Sequence, residues 1–197
     1  MPSIIKINIM KNKIIILTLL VIPFIFKAQT VSLDQMSQCE RGINCPDYTY
    51  VKDTNNRLDK FVGTWKGVYT DGKTYELHFT KKENDGGWFN KKFWDKLIGR
   101  MLVKSSDGSV LYTSLNNDDL NSITGFQFDK NLKKYRMYYS ANGNCNDKGY
   151  IFVSFPDSNN LTQMKLVFMQ DLDISFSCPS GYKIVIPDNK VIMFTKQ

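Results

Sequence analysis

The chain has a single histidine, His78, two residues after Glu76. Residues two apart in a strand share a face, and a histidine beside a carboxylate has the parts of a general base. The stretch Thr74–Thr80 alternates as a strand does. Tyr75, Leu77 and Phe79 point one way; Glu76, His78 and Thr80 point the other. A polar strand face of this kind is expected to meet solvent. Alternation does not say which face is inside a closed sheet, and a polar interior would make the same face line a ligand site.

Four cysteines, Cys39, Cys45, Cys145 and Cys178, are the other reactive set. Three pairings are open to four cysteines. Cys39–Cys45 with Cys145–Cys178 is favoured, because the first two are near neighbours on a segment poor in core residues. Zinc is the competing use. The spacing of Cys39 and Cys45 and the lone histidine do not suit it, so no metal site is expected.

Other patterns match a chemistry only in form. Ser180-Gly181-Tyr182-Lys183 spells Ser-x-x-Lys, but that motif needs a helix to bring lysine beside serine, and Pro179 and Gly181 argue for a loop. Asn142 to Asn146 has the look of a calcium loop, without glycine at the sixth position or glutamate at the twelfth, where Val153 stands. Lys130, Lys133, Lys134 and Arg136 with Tyr135, Tyr138 and Tyr139 read better as a solvated turn entering a half-buried strand than as a nucleic-acid face. No nucleotide-binding glycine loop, nucleophile elbow or metalloprotease motif occurs. The expectation is therefore a protein that is not an enzyme and needs no cofactor.

Residues 86–95, Gly86-Gly87-Trp88-Phe89-Asn90-Lys91-Lys92-Phe93-Trp94-Asp95, are of a different kind. Trp88, Phe89, Phe93 and Trp94 fall within seven residues, after a flexible Asp85-Gly86-Gly87 joint. Large aromatics give contact area at little entropy cost. They are candidates for a lid or a partner surface, with capping of the core as the plain structural use.

The elements that must position these groups are short and frequent. Hairpin signals occur at Asp71-Gly72 and Asp107-Gly108. Further strand pairs flank the polar turn after Phe128, Pro156 to Asn160, and Pro187-Asp188-Asn189. About ten strands result, including Lys183–Ile186. Helical periodicity is confined to one or two turns over 54–61 and to the N-terminal apolar run. Consecutive hairpins favour an all-β, up-and-down antiparallel β-barrel, closed to remove its edges.

Lys6, Lys11 and Lys13 precede the unbroken apolar run Ile14–Phe26, followed by Lys27-Ala28. That is the order of a secretory signal, and the run is short for a membrane span. Cleavage is expected after Ala28, which gives a signal peptide (1–28), an N-terminal arm (29–53) clipped by its own disulfide, and a barrel domain (54–197). All four charged residues of 1–28 are lysines, so the remainder holds 22 basic against 19 acidic residues. That balance implies no nucleic-acid partner. Export, to the periplasm or beyond, agrees with the even cysteine count.

Residues 60–68 read Lys60-Phe61-Val62-Gly63-Thr64-Trp65-Lys66-Gly67-Val68. An apolar residue, a spacer and Gly-x-Trp opening the first strand after a helical turn resembles the opening motif of the lipocalins and the wider calycin group. The resemblance implies that Gly63 makes the turn into the strand and that Trp65 plugs the closed end of the barrel. The chain departs from the group in having Lys66 after the tryptophan, no mid-chain Thr-Asp-Tyr, and no arginine in the last strand, where Lys196 is the nearest substitute. It is also similar to small secreted flavobacterial proteins carrying a lipocalin-like domain of unknown function.

A lipocalin-like barrel implies a small apolar molecule or lipid held inside. Tyr69, Tyr75, Phe79, Met101, Tyr112 and Met137 are the candidate ligand contacts. The alternative is a secreted protein that binds a protein or glycan, such as a hydrolase inhibitor, through its loops around a side-chain-filled barrel. Barrels of this size do either. No membrane span is expected in the mature form.

Overall fold

The computed structural model describes residues 29–39, 43, 45–87, 91–142, 145–171, 173 and 178–197. The expected signal segment and Trp88 and Phe89 of the aromatic loop lie outside them. The strands are β1 (Thr30–Ser32), β2 (Tyr50–Lys52), β3 (Gly63–Val68), β4 (Thr74–Gly86), β5 (Phe93–Lys104), β6 (Val110–Thr113), β7 (Ile123–Phe128), β8 (Lys134–Asn142), β9 (Asp147–Ser154), β10 (Gln163–Gln170) and β11 (Val191–Lys196). One short helix, α1, spans Leu33–Met36.

Strands β3, β4, β5 and β7 to β11 close into an eight-stranded antiparallel barrel, each beside its neighbour in the chain. The seam closes where Thr195 and Lys196 of β11 pair with Lys66 and Trp65 of β3. β7 meets β5 only at Ile123–Thr124. Beyond that point β6 takes its place, pairing Leu102 with Thr113 and Val103 with Tyr112.

The period of two decides what faces inward. Tyr75, Leu77 and Phe79 of β4, Tyr135, Met137 and Tyr139 of β8, and Met164, Leu166 and Phe168 of β10 all enter one core. Each such side chain stabilises the fold by about 1.5–3 kcal/mol on burial. Leu77, Met101, Val103, Tyr135, Met137 and Val153 have 0% exposure, so no water-sized space touches them. The middle of the barrel is filled. Gly125 is what admits Tyr135, whose ring carbon lies 2.4 Å from where a Cβ on that glycine would sit.

One end is closed by Trp65. Gly63 enters β3 at φ +121°, a conformation that side chains disfavour. Trp65 is fully buried, donates its indole N–H to the Phe61 carbonyl at 2.7 Å, and has the Lys196 ammonium 5.3 Å from its ring centroid. Gly63, Trp65 and Lys196 therefore meet at one point.

The arm docks at this same end. β1 and β2 run parallel, and β2 runs parallel to the start of β5. Asp95 anchors it: the carboxylate is 1% exposed and accepts from the Tyr50 hydroxyl at 2.5 Å and the Asp53 and Asn84 amides at 2.8 and 3.0 Å. Asp53 in turn accepts from the Arg57 and Leu58 amides and the Lys81 ammonium. Both disulfides form as expected, Cys39–Cys45 and Cys145–Cys178.

Several elements differ from the sequence expectation, the arm strands β1 and β2 among them. The helical turns over 54–61 contract to a single 3-10 turn at Asp59–Phe61. Helix α1 was not foreseen, although Ser32 and Gln35 form a capping box around its start. Lys183–Ile186 is not a strand. Its backbone bonds to side chains across the barrel end, as described next, and so has no ladder to join.

Candidate binding site at the strapped end

The end away from Trp65 is crossed by residues 178–189, a strap between β10 and β11. Cys178 ties its start to Cys145, just before β9. Asp188 fixes its far end, bridging to Phe168 and accepting from the Gln170 amide at 2.8 Å. Between these ties Ile186 enters the core with 0% exposure, and the Tyr75 hydroxyl donates to the Val185 carbonyl at 3.1 Å.

Asp147, the first residue of β9, sits beneath the strap with 0% exposure. Its Oδ2 accepts from the Tyr182 hydroxyl at 2.7 Å and the Val185 amide at 2.9 Å. Its Oδ1 is buried without a hydrogen-bond partner among the described residues, and so is the hydroxyl of Tyr139. The Tyr139 hydroxyl lies close enough to interact with the carboxylate, which raises its own pKa and lowers that of Asp147, although the pair falls outside strict hydrogen-bond geometry.

Burial pushes the Asp147 carboxyl above the usual carboxylate range, against the lowering effect of its bonds from Tyr182 and Val185. Burial likewise raises Tyr75, Tyr112, Tyr139 and Tyr182, with the charge of Asp147 adding to each. The set is one buried carboxylate inside a ring of neutral phenols. Such a group costs free energy unless something pairs with it.

The barrel wall also carries an opening, although none of Asp147, Tyr139 and Tyr182 lines it. β8 pairs with β7 only as far as Tyr138, and β6 pairs with β5. The walls therefore part between β6 and β8. A polar hollow of about 550 Å³ fills the gap, lined by Tyr112, Asn117, Ser122, Thr124, Ser140 and Ala141 among others. Tyr112 forms part of its lining and meets the ring of Tyr139 edge-on at 6.0 Å between centroids.

The sequence candidates distribute unevenly. Tyr75, Phe79, Met101 and Met137 come together in the core, with half-buried Tyr69 and Tyr112 packed against it. Phe93 and Trp94 lie at the arm end, opposite the strap; Trp94 meets Tyr48 at a tilt, with ring centroids 5.3 Å apart. Glu76 and His78 face outward from β4, bonded to each other at 2.6 Å, with Lys66 3.2 Å from the other carboxylate oxygen. Asp147 was not singled out by the sequence, and Tyr139 and Tyr182 entered only within patterns that were set aside. The one available signal was an acidic residue two positions after a bridged cysteine, at the start of a strand.

The fold and this end define a class: a filled, closed up-and-down barrel with a disulfide-tied strap over a buried carboxylate. Within that class the chain belongs to a family of unknown function, DUF6705, whose model matches residues 10–194. No curated protein and no solved structure gave a match.

Proposed function

We propose that the protein is an exported, non-catalytic binding protein of lipocalin-like type, holding a small molecule at the strapped end of its barrel. The observation that carries this is Asp147: a wholly buried carboxylate with one oxygen unpartnered among the described residues, beside a hollow in the barrel wall. The filled middle moves the proposed ligand from the barrel axis to this end. Two disulfides support an oxidising destination, and no helix among the described residues is long and apolar enough to cross a membrane. The non-catalytic part rests on the position of Glu76 and His78. They lie on the outer face of the sheet, where Lys66 shares the carboxylate.

The test is mass spectrometry of the mature protein purified from an oxidising periplasm, native and then denatured. A discrete excess mass is expected, removable by solvent extraction and missing from a Cys145→Ser/Cys178→Ser variant whose strap is untied. A bare polypeptide mass in every preparation would contradict the proposal.

One observation favours a second reading, a protein or glycan partner. The outer face of β7 to β10 carries Phe126, Tyr138, Tyr150 and Met169 in adjacent register. The Arg136 guanidinium lies 4.8 Å from the Phe126 ring centroid and 5.6 Å from that of Tyr150. Tyrosine, methionine and arginine are enriched at interfaces. Under this reading Tyr150→Ala abolishes partner capture while the bound small molecule, if present, stays.

A further inference from the structure

We propose that the protein has a second ligand site, at the Trp65 end of the barrel, that takes a phosphate monoester carrying a short apolar chain. The site lies outside the core and is independent of the strapped end.

A hollow of about 370 Å³ opens where the 3-10 turn, the turn between β7 and β8 and the loop between β9 and β10 converge. Four lysines line it, Lys60, Lys133, Lys134 and Lys165, and no acidic side chain is among its lining residues. Lys134 and Lys165 reach it from the barrel wall. Both pair with Ser154, one from each side, so the three project outward in one row. Two strand spacings, about 10 Å, separate the backbones of the two lysines.

The four ammonium groups are unclaimed. None forms an ion pair with a described residue, whereas Lys66, Lys73, Lys81, Lys82, Lys96 and Lys148 elsewhere each hold a carboxylate. The two carboxylates in the flanking turns are spent on backbone. Asp129 accepts from the Lys133 and Lys134 amides at 2.7 and 2.9 Å, and Asp157 accepts from the Asn159 amide at 2.8 Å. These bonds fix the turns and leave the lysine side chains facing the hollow without a counter-charge.

Cations gathered this way repel one another, and an anion offsets the repulsion. A phosphate monoester near neutral pH brings about −1.5 to −2 charges and three acceptor oxygens, against a single charge for a carboxylate. The hydroxyls of Ser154 and Ser158, neither bonded to a described residue, add donors at the same hollow. Lys60 gains most from an anion: burial pushes its ammonium below the ordinary lysine range, and Arg57 adds to this.

The apolar chain is required by the floor. The Phe155 ring packs against Phe61 at 4.8 Å and Trp65 at 5.9 Å between centroids, so the plug holds it in place. Leu132 and the 42%-exposed Leu161 line the hollow beside it. A bare anion would leave this apolar surface in water, and a short chain covers it.

The experiment is an amide NMR titration of the labelled chain 29–197 with n-hexyl phosphate, with inorganic phosphate and n-hexanol as its two halves. Saturable shifts are expected at Lys60, Lys133, Lys134, Ser154 and Leu161 with hexyl phosphate, and each half alone should bind about tenfold or more weakly. Lys134→Gln/Lys165→Gln breaks no described ion pair. It should keep the fold and weaken hexyl phosphate about tenfold or more. Lys190→Gln, outside the hollow, should leave binding unchanged. Leu161→Ser should weaken hexyl phosphate and spare inorganic phosphate. Affinity should fall as salt rises. Equal binding of inorganic phosphate would overturn the apolar chain, and equal binding of hexanol would overturn the phosphate. No saturable binding of hexyl phosphate, unchanged affinity in the double lysine variant, or shifts centred on Tyr112 and Tyr182 would overturn the site.

Discussion

A carboxylate shut away from water is costly unless both oxygens are paired, and Asp147 has one oxygen paired twice and the other free among the described residues. Its pKa lies above the unfolded value of about 3.9. Between the two values the folded state keeps a proton that the unfolded state has released. Stability contributed by this group therefore falls as pH rises through that window, and the cost is complete above it. Asp147→Asn keeps an acceptor for Tyr182 and Val185 and removes the charge. The variant is expected to be at least as stable as wild type in urea at neutral pH, with the difference closing near about pH 4. A clear loss of stability at neutral pH would show that the charge holds the strap down. Depressed carboxylates such as Asp34 and Asp119 lose stabilisation on acidification in both proteins alike, so the comparison isolates Asp147. Trp65 is the opposite case, buried and fully bonded. Trp65→Ala should cost about 3–5 kcal/mol, checked by the same unfolding curves; a loss below about 1 kcal/mol would deny it the role of plug. Trp65, Gly63 and Lys196 were legible in the sequence because local motif and strand entry coincide. Asp147 was not, since the strap residues that bond it, Tyr182 and Val185, lie 35 and 38 positions further along.

The strap and the arm close opposite ends by different means. The arm is short, and its ties are polar: Asp95 and Asp53 collect amides and hydroxyls from several segments. The strap depends on Cys145–Cys178, which spans 33 residues, against 6 for Cys39–Cys45. Chain entropy then assigns about 4 kcal/mol to the first and about 2 kcal/mol to the second. Replacing Cys145 and Cys178 by serine should lower stability more than replacing Cys39 and Cys45, and should raise hydrogen exchange at Tyr182 to Ile186. Equal losses in the two variants would show that the strap is held by Asp147 and Ile186 alone. The strands were legible wherever alternation met a hairpin turn, as in β3–β4 and β5–β6. The strap was misread as a strand because Lys183–Ile186 has strand composition, and sequence does not show which backbone groups find side-chain partners. Helix α1 escaped notice because four residues carry no readable period.

At the scale of the whole molecule, three surfaces compete for the function: the barrel middle, the outer aromatic face and the strapped end. The first is closed by packing, with Met101 and Met137, two of the expected ligand contacts, wholly inside. The second is apolar and partly exposed, with Tyr150 and Met169 at 38% and 47%. The third holds two of the three buried polar atoms that lack a partner among the described residues; the other, Trp94 Nε1, lies at the arm end. The closed antiparallel barrel could be read from the sequence, but which face of each strand points inward could not. The choice among surfaces could not, because it turns on which side chains fill space and which remain unpaired. The most direct measurement is chemical-shift mapping of the labelled chain 29–197 against a small-molecule extract of the cells that produce it. Perturbations centred on Tyr112, Tyr139, Asp147 and Tyr182 are the predicted result. Perturbations centred on Phe126, Tyr138, Tyr150 and Met169, or none at any extract concentration, would contradict a ligand site beneath the strap.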